Sequence, residues 1–265
     1  MKITLLQGIL LSIFGAIAGV DSYTEALYIF RPIISCAVTG LILGDPITGL
    51  LAGGVAELTF AGLTNAGGTQ PPNPAVCGIM TVVIAHTTKV APATAVGLSL
   101  PFAMLMQYII LMYYSLFSGF MPSLDKAAEK AETKKFSRYV AFSMAVVGIT
   151  FFIIIFLSSY AAQAPMASLV KAMPTWLIHG FELAGGALPA VGFAMLLKVL
   201  LRVSYFPYLL LGFVVASFIN YSNVLPAAAI GVVFAMIDFF NTKQNQKLKD
   251  QINEIKENGG AEDGI

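Results

Sequence analysis

Charge is scarce in this 265-residue chain: 11% of its residues are Asp, Glu, Lys or Arg, against about 25% in a soluble domain. With 57% hydrophobic residues and a mean hydropathy of +0.81, that excludes an ordinary water-soluble globule. A single core of this length cannot bury so much apolar surface, so lipid is the natural solvent. Positive charge is not in surplus, since the formal net charge is +1. No nucleic-acid partner is expected, because that would need a clustered basic face. Cysteine is down to Cys36 and Cys77, both among apolar or small neighbours, so they read as small core residues and predict neither a disulfide framework nor a metal site. No Gly-x-x-x-x-Gly-Lys-Ser/Thr loop occurs, so no nucleotide or other cofactor is expected. No nucleophile–base pair stands at a recognisable spacing either, which leaves no intramembrane enzyme to predict.

What the chain does have is long uncharged blocks. Val90–Leu124 and Val203–Ile237 each hold 35 uncharged residues, Tyr139–Val170 holds 32 and Leu58–Thr88 holds 31. A straight helix of 35 residues would span roughly 52 Å, too long for a bilayer core of about 30 Å even with tilt. Each block must bend, lie partly in the interface, or re-enter. Pro101 is expected to split the first, and Asn220–Asn223 with Pro226 the second. Ile47–Thr64 and Leu183–Leu197 are short for clean spans. The prediction is an all-α, polytopic integral membrane protein with broken or re-entrant helices, as in transporters, where irregular backbone lines a cavity. The apolar run Ile3–Val20 after Lys2 has the look of a signal peptide, but it reads as a retained first span because more spans follow.

Two segments are aqueous. Pro122–Arg138 carries five basic residues (Lys126, Lys130, Lys134, Lys135 and Arg138) and reads as a short surface helix capped by Ser123. The tail 241–265 carries four lysines and five acids. The membrane-embedded domain therefore extends over 1–240, and the excess of Lys and Arg beside its spans predicts that loop 122–138 and the tail are cytoplasmic.

Candidate chemistry gathers between Gly40 and Pro74. Gly49 and Gly53 form a small-xxx-small face for close helix approach. Glu57 follows with no basic neighbour in sequence. A carboxylate at membrane depth is costly enough that it should face a polar cavity or a partner, and it is predicted to bind the transported solute. Asn65 lies roughly 80° around a helix from it. The stretch from Asn65 through Thr69, Gln70 and Asn73 to Pro74 has two glycines and three prolines and cannot be helix. A rigid polar loop suits a sugar, whose hydroxyls pair with amides and hydroxyls rather than with net charge. Glu182, before Gly185-Gly186, is expected at the same cavity. His86 reads as interfacial and His179 as hydrogen-bonded beside Glu182, neither as a phosphohistidine. Arg31 reads as a structural partner of Asp45 or Glu25, or as snorkelling to headgroups.

GDPITGLLAGGVAELTFAG (44–62) resembles the signature of the C component (EIIC) of mannose-family sugar permeases of the phosphoenolpyruvate-dependent phosphotransferase system. The likeness continues through HGFELAGGALPAVGFAMLL (179–197) and 220–226, over about nine-tenths of the chain. FRPIISCAVTG, AGGTQPPNP and LPFAMLMQY look most like the N-acetylgalactosamine-type members. Mannose-type members tend to have an acid at 73 and an apolar residue at 70, so Asn73 and Gln70 argue against glucose or mannose. The resemblance implies two related membrane domains with re-entrant hairpins, assembled as a trimer of C–D pairs in the bacterial inner membrane. It also implies a hexose substrate, N-acetylgalactosamine or galactosamine. The sugar would be phosphorylated during uptake by a phosphohistidine on a soluble B component, which an A component recharges, while the C chain carries no phosphoryl group. An independent ion-coupled sugar transporter is the other expectation the composition allows.

Overall fold

Pro32, Pro46, Pro74 and Pro92 each open a helix, where a missing N–H is harmless and a fixed φ is already helical. They set the punctuation of the fold in a computed structural model that describes residues 2–63, 70–218 and 225–259. The chain divides into Met1–Val199 and Leu200–Ile265.

In the first unit, α1 (Leu5–Thr24) begins in a capping box. The Gln7 N–H donates to Thr4 Oγ1 at 3.3 Å and the Thr4 N–H to Gln7 Oε1 at 3.0 Å. After a loop come α2 (Pro32–Leu43) and α3 (Pro46–Phe60), then α4 (Pro74–Thr88), α5 (Pro92–Ser118), α6 (Met121–Glu129) and α7 (Thr133–Phe156). A π-helical turn, Leu157–Ala161, leads to α8 (Gln163–Ala172) and α9 (Thr175–Leu200). In the second unit, the apolar α10 (Phe206–Phe218) packs on α11 (Leu225–Gly259), with the Tyr208 hydroxyl donating to Asp238 Oδ1 at 3.2 Å.

The core is α4. Every residue from Ala75 to His86 is buried, enclosed by α2, α3 and α5. It runs antiparallel to α5: the Asn73 N–H donates to the Ala103 carbonyl at 3.1 Å, and Thr81 Oγ1 to Ser99 Oγ at 2.9 Å. It runs parallel to α2, where the Cys36 thiol lies 3.2 Å from the Gly78 carbonyl. Cys36 and Cys77 are both buried and unpaired. α1 lies antiparallel along α7, with Gly15 against Ile155 and Gly19 against Phe151.

α2 and α3 form a hairpin that turns at Gly44, φ +75°, a left-handed value that glycine takes at little cost. Its two helices touch backbone to backbone. A Cβ on Gly49 would meet the Cys36 carbonyl oxygen at 2.8 Å and Gly40 Cα at 2.9 Å. The hairpin tip is tied down on α4: Asp45 accepts from the Thr48 N–H at 3.3 Å, and its Oδ2 lies 3.0 Å from His86 Nδ1 and 3.6 Å from Lys89 Nζ.

Helices of 12 and 15 residues reach roughly 18 and 22 Å, short of the bilayer core. α2, α3 and α4 are thus each too short for a full crossing. Leu5–Thr24, Pro92–Ser118, Thr133–Ala161 and Thr175–Lys198 are long and apolar enough to cross. The protein is an all-α polytopic membrane protein, as the blocks predict.

Three expectations need correcting. Pro101 does not split its block: α5 is continuous through it, because in hydrocarbon one lost helical bond costs less than exposing a broken helix end. The surplus length is taken up instead by the turn after Ser118. Ser123 is not a cap, since α6 starts at Met121 with Phe120 at the cap position. Leu183–Leu197 is no short span but the middle of the 26-residue α9. His86 is 5% exposed, packed against Asp45 at the hairpin tip. The boundary at residue 240 falls within α11, which continues unbroken from its apolar half into its charged half.

Candidate functional site

A cavity of about 390 Å³ opens in the first unit. Phe60 and Asn73, each 2% exposed, form its floor. The rim is aromatic and exposed, with Tyr23, Tyr28 and Tyr114 at 36%, 52% and 51%. Arg31, Gln70 and Glu25 complete the polar lining. Depth follows from α5: Asn73 pairs beside Ala103, and Tyr114 stands eleven positions further on, roughly 16 Å along the helix. The cavity thus runs from mid-depth towards the Ser118 end of α5, where charged α6 begins.

Asn73 has a structural duty as well. Its Oδ1 accepts from the Val76 N–H at 3.0 Å as the N-cap of α4. Gln70 is held by α5: the Gln107 amide donates to its backbone carbonyl, and the Tyr114 hydroxyl to its Oε1 at 3.3 Å. Both amides thus have their acceptor oxygen engaged by protein, which turns their donor ends to other work.

Glu57 does not stand alone. The Arg31 guanidinium donates to Glu57 Oε1 through Nε, at 2.8 Å, and through Nη2. The Ile33 N–H donates to Oε2 at 3.1 Å. Arg31 therefore pairs with neither Asp45 nor Glu25. It stands between Glu57 and the cavity it lines, and Glu57 joins the start of α2 to α3. Glu182 is not brought to this cavity: it lies on an exposed face of α9, its Oε2 3.5 Å from His179 Nδ1. Asn65 and Thr69 lie outside the described residues.

Sequence reasoning missed Tyr23, Tyr28, Gln107 and Tyr114. For α5 a signal existed. Gln107 is the one amide in the Val90–Leu124 block, and Gln107, Ile110 and Tyr114 share a helix face at i, i+3 and i+7.

Residues 5–237 match the family described as the sorbose-specific IIC component of the phosphotransferase system. The chain belongs to that family. It is 53% identical to N-acetylgalactosamine permease IIC component 1 of Escherichia coli (strain K12), over 94% of each chain. It is 32% identical to the sorbose-specific EIIC component of Klebsiella pneumoniae over 89% of each. A solved membrane-protein structure aligns with TM-score 0.78 at 28% identity, covering 90% of this chain and 96% of that one. The mannose transporter ManYZ, solved in complex with microcin E492, aligns at 0.57 and 27% identity, with the same coverage. As a mannose-family IIC component the chain serves sugar uptake inside a phosphotransferase system with that system's other components, and the independent ion-coupled carrier is set aside.

Proposed function

We propose that the cavity holds the transported hexose, an N-acetylgalactosamine or galactosamine, and presents it to the phosphorylated B component. One observation carries this reading: the floor and rim combine an amide at Asn73, an amide at Gln70 and several tyrosines around a space of about 390 Å³. That is the mixture of oriented polar groups and aromatic walls that a small-molecule site uses. The identity with the N-acetylgalactosamine permease supports the choice of sugar. Glu57 acts on the sugar through Arg31.

Competition uptake with galactose, mannose and N-acetylgalactosamine tests this in wild type, Gln70→Val and Asn73→Asp. Aspartate caps a helix as well as asparagine, so Asn73→Asp keeps the start of α4 while replacing the donor end with a charged acceptor. Gln70→Val removes the Tyr114 contact. We expect the preference between N-acetylgalactosamine and galactose to shift about tenfold in each variant, the value of a hydrogen bond or so. An unchanged rank order with uniformly lower uptake would return both amides to loop structure.

The cavity rim lies at the α6 end of α5, and α6 with Lys134, Lys135 and Arg138 of α7 supplies the positive charge expected on the cytoplasmic side. On this reading the sugar site is open to the cytoplasm, where the B component approaches, and the lysines of the tail beyond Asn241 make it cytoplasmic by the same charge rule. C–D pairs joined as a trimer complete the permease. Single cysteines at Lys126 and Gln251 should resist a membrane-impermeant thiol reagent added to intact cells and react after permeabilisation. Labelling from outside at either position reverses the orientation.

A further inference from the structure

The loop between α1 and α2 builds much of the cavity wall, supplying Glu25, Tyr28, Phe30 and Arg31, yet it has no secondary structure to stiffen it. It also holds two side-chain-bearing residues in left-handed conformations, Glu25 at φ +47° and Tyr28 at φ +58°. Such residues stay there only where their surroundings hold them. The holder is Asp21, in the last turn of α1 and 5% exposed. Its Oδ1 accepts from the Leu27 N–H and its Oδ2 from the Ile29 N–H, each at 2.8 Å. Its backbone carbonyl accepts from the Glu25 N–H at 2.7 Å. The two carboxylate bonds bracket Tyr28, which therefore has its backbone fixed on either side. An ionised carboxylate accepts at both oxygens without a proton on either, and bonds to a charged acceptor are the strong ones. Three loop amides are thereby gathered onto one residue that does not itself line the cavity.

We propose that Asp21 is the positioning residue of the sugar site: by clamping the Leu27 and Ile29 amides it sets Tyr28 and Glu25 on the rim, and through them the affinity for the sugar and the choice among sugars. This rests on the reading of the cavity as the sugar site. Asparagine at 21 keeps the shape but turns an NH2 group towards one of the two N–H donors, so one bond becomes a repulsion. Glutamate keeps the charge and shifts the carboxylate by a methylene. A residue that merely helped the chain fold would change the yield of protein and leave binding per molecule untouched.

The test is a binding titration on the whole reconstituted C–D complex, with N-acetylgalactosamine and galactose, in wild type, Asp21→Asn, Asp21→Glu and Gln70→Val. The expected result for Asp21→Asn is about tenfold weaker binding of N-acetylgalactosamine and a changed ratio between the two sugars, with assembled complex recovered. Asp21→Glu moves in the same direction and decides the matter if the asparagine variant fails to assemble. Wild-type affinity and wild-type ratio in the assembled Asp21 variants overturn the proposal, even where their yield falls. If Gln70→Val alters binding while the Asp21 variants do not, only the role of Asp21 fails. If Gln70→Val also binds as wild type, the sugar-site reading fails and takes this proposal with it.

Discussion

Glu57→Gln should cut sugar uptake ten- to a hundredfold with the protein still inserted in the membrane. The carboxylate receives two donors from Arg31 and one from the Ile33 amide. Glutamine has a single oxygen for these three, and its NH2 end faces a donor. Bonds to charged groups are worth about 1.5–3 kcal/mol each where water is excluded. Here the two side chains are 32% and 25% exposed, so screening by cavity water reduces that figure and sets the lower bound on the effect. What remains is an Arg31 without its counter-charge at mid-depth, free to swing into the space the sugar needs. Arg31→Gln in the same background separates the two causes. If Glu57 works through Arg31, the double variant loses no more than the single ones, because residues in one contact are not additive. Uptake near wild type in Glu57→Gln would remove Glu57 from the transport site.

Gly49→Leu should leave almost no folded protein, as judged by size-exclusion chromatography of a fluorescent fusion. The atoms a side chain would strike at Gly49 are the Cys36 carbonyl oxygen at 2.8 Å and Gly40 Cα at 2.9 Å, both backbone, so no rotamer change relieves the clash. The hairpin would have to splay, and both ends are tied: one by Arg31–Glu57, the other by Asp45 with His86 and Lys89. Overpacking a mobile side chain costs about 1–3 kcal/mol; prising two backbones apart costs more. Gly54→Leu is the matched control, since a Cβ there meets nothing within 4 Å. It should accumulate like wild type. Equal loss in both would mean that added bulk in α3, rather than contact with α2, decides the outcome.

Those residues also show what could be read before the structure. The close-packing face of Gly49 and Gly53 was legible because its signal is local, a four-residue repeat on one helix. The short α3 was legible from the length of Ile47–Thr64, since length against bilayer thickness needs no partner, whereas Pro101 and Leu183–Leu197 misled because neither ends a helix. The partner of Glu57 was not. Arg31 is 26 residues away, and only the hairpin's closure brings the two together. The partner of Asp45 is 41 residues away, on another helix. Gln70 and Asn73 were read as polar loop residues, but which end of each amide the protein occupies depends on Tyr114 and Val76. Asp21 was passed over because a carboxylate near a helix end looks like surface charge until its loop folds over it. Glu182 misled in the opposite sense: an acid beside glycines suggests a cavity, yet α9 turns it outward.

That α4 begins at mid-depth has an electrical consequence. Between the cavity floor at the level of Ala103 and the start of α5 at Pro92 lie eleven residues, roughly 16 Å of packed protein. A membrane voltage drops across its insulating portion, so with water in the cavity the field through this plug is about twice that in a bare bilayer core of about 30 Å. Any unit charge carried through it would do or require about 2.3 kcal/mol per 100 mV. N-acetylgalactosamine is neutral, unlike the amino sugar galactosamine, and Arg31 and Glu57 at the inner edge of the plug cancel one another, so a shift of the hairpin carrying both would cross that steep field with no electrical work. The energy for accumulation then comes from the phosphoryl group, indifferent to the state of charge of the membrane.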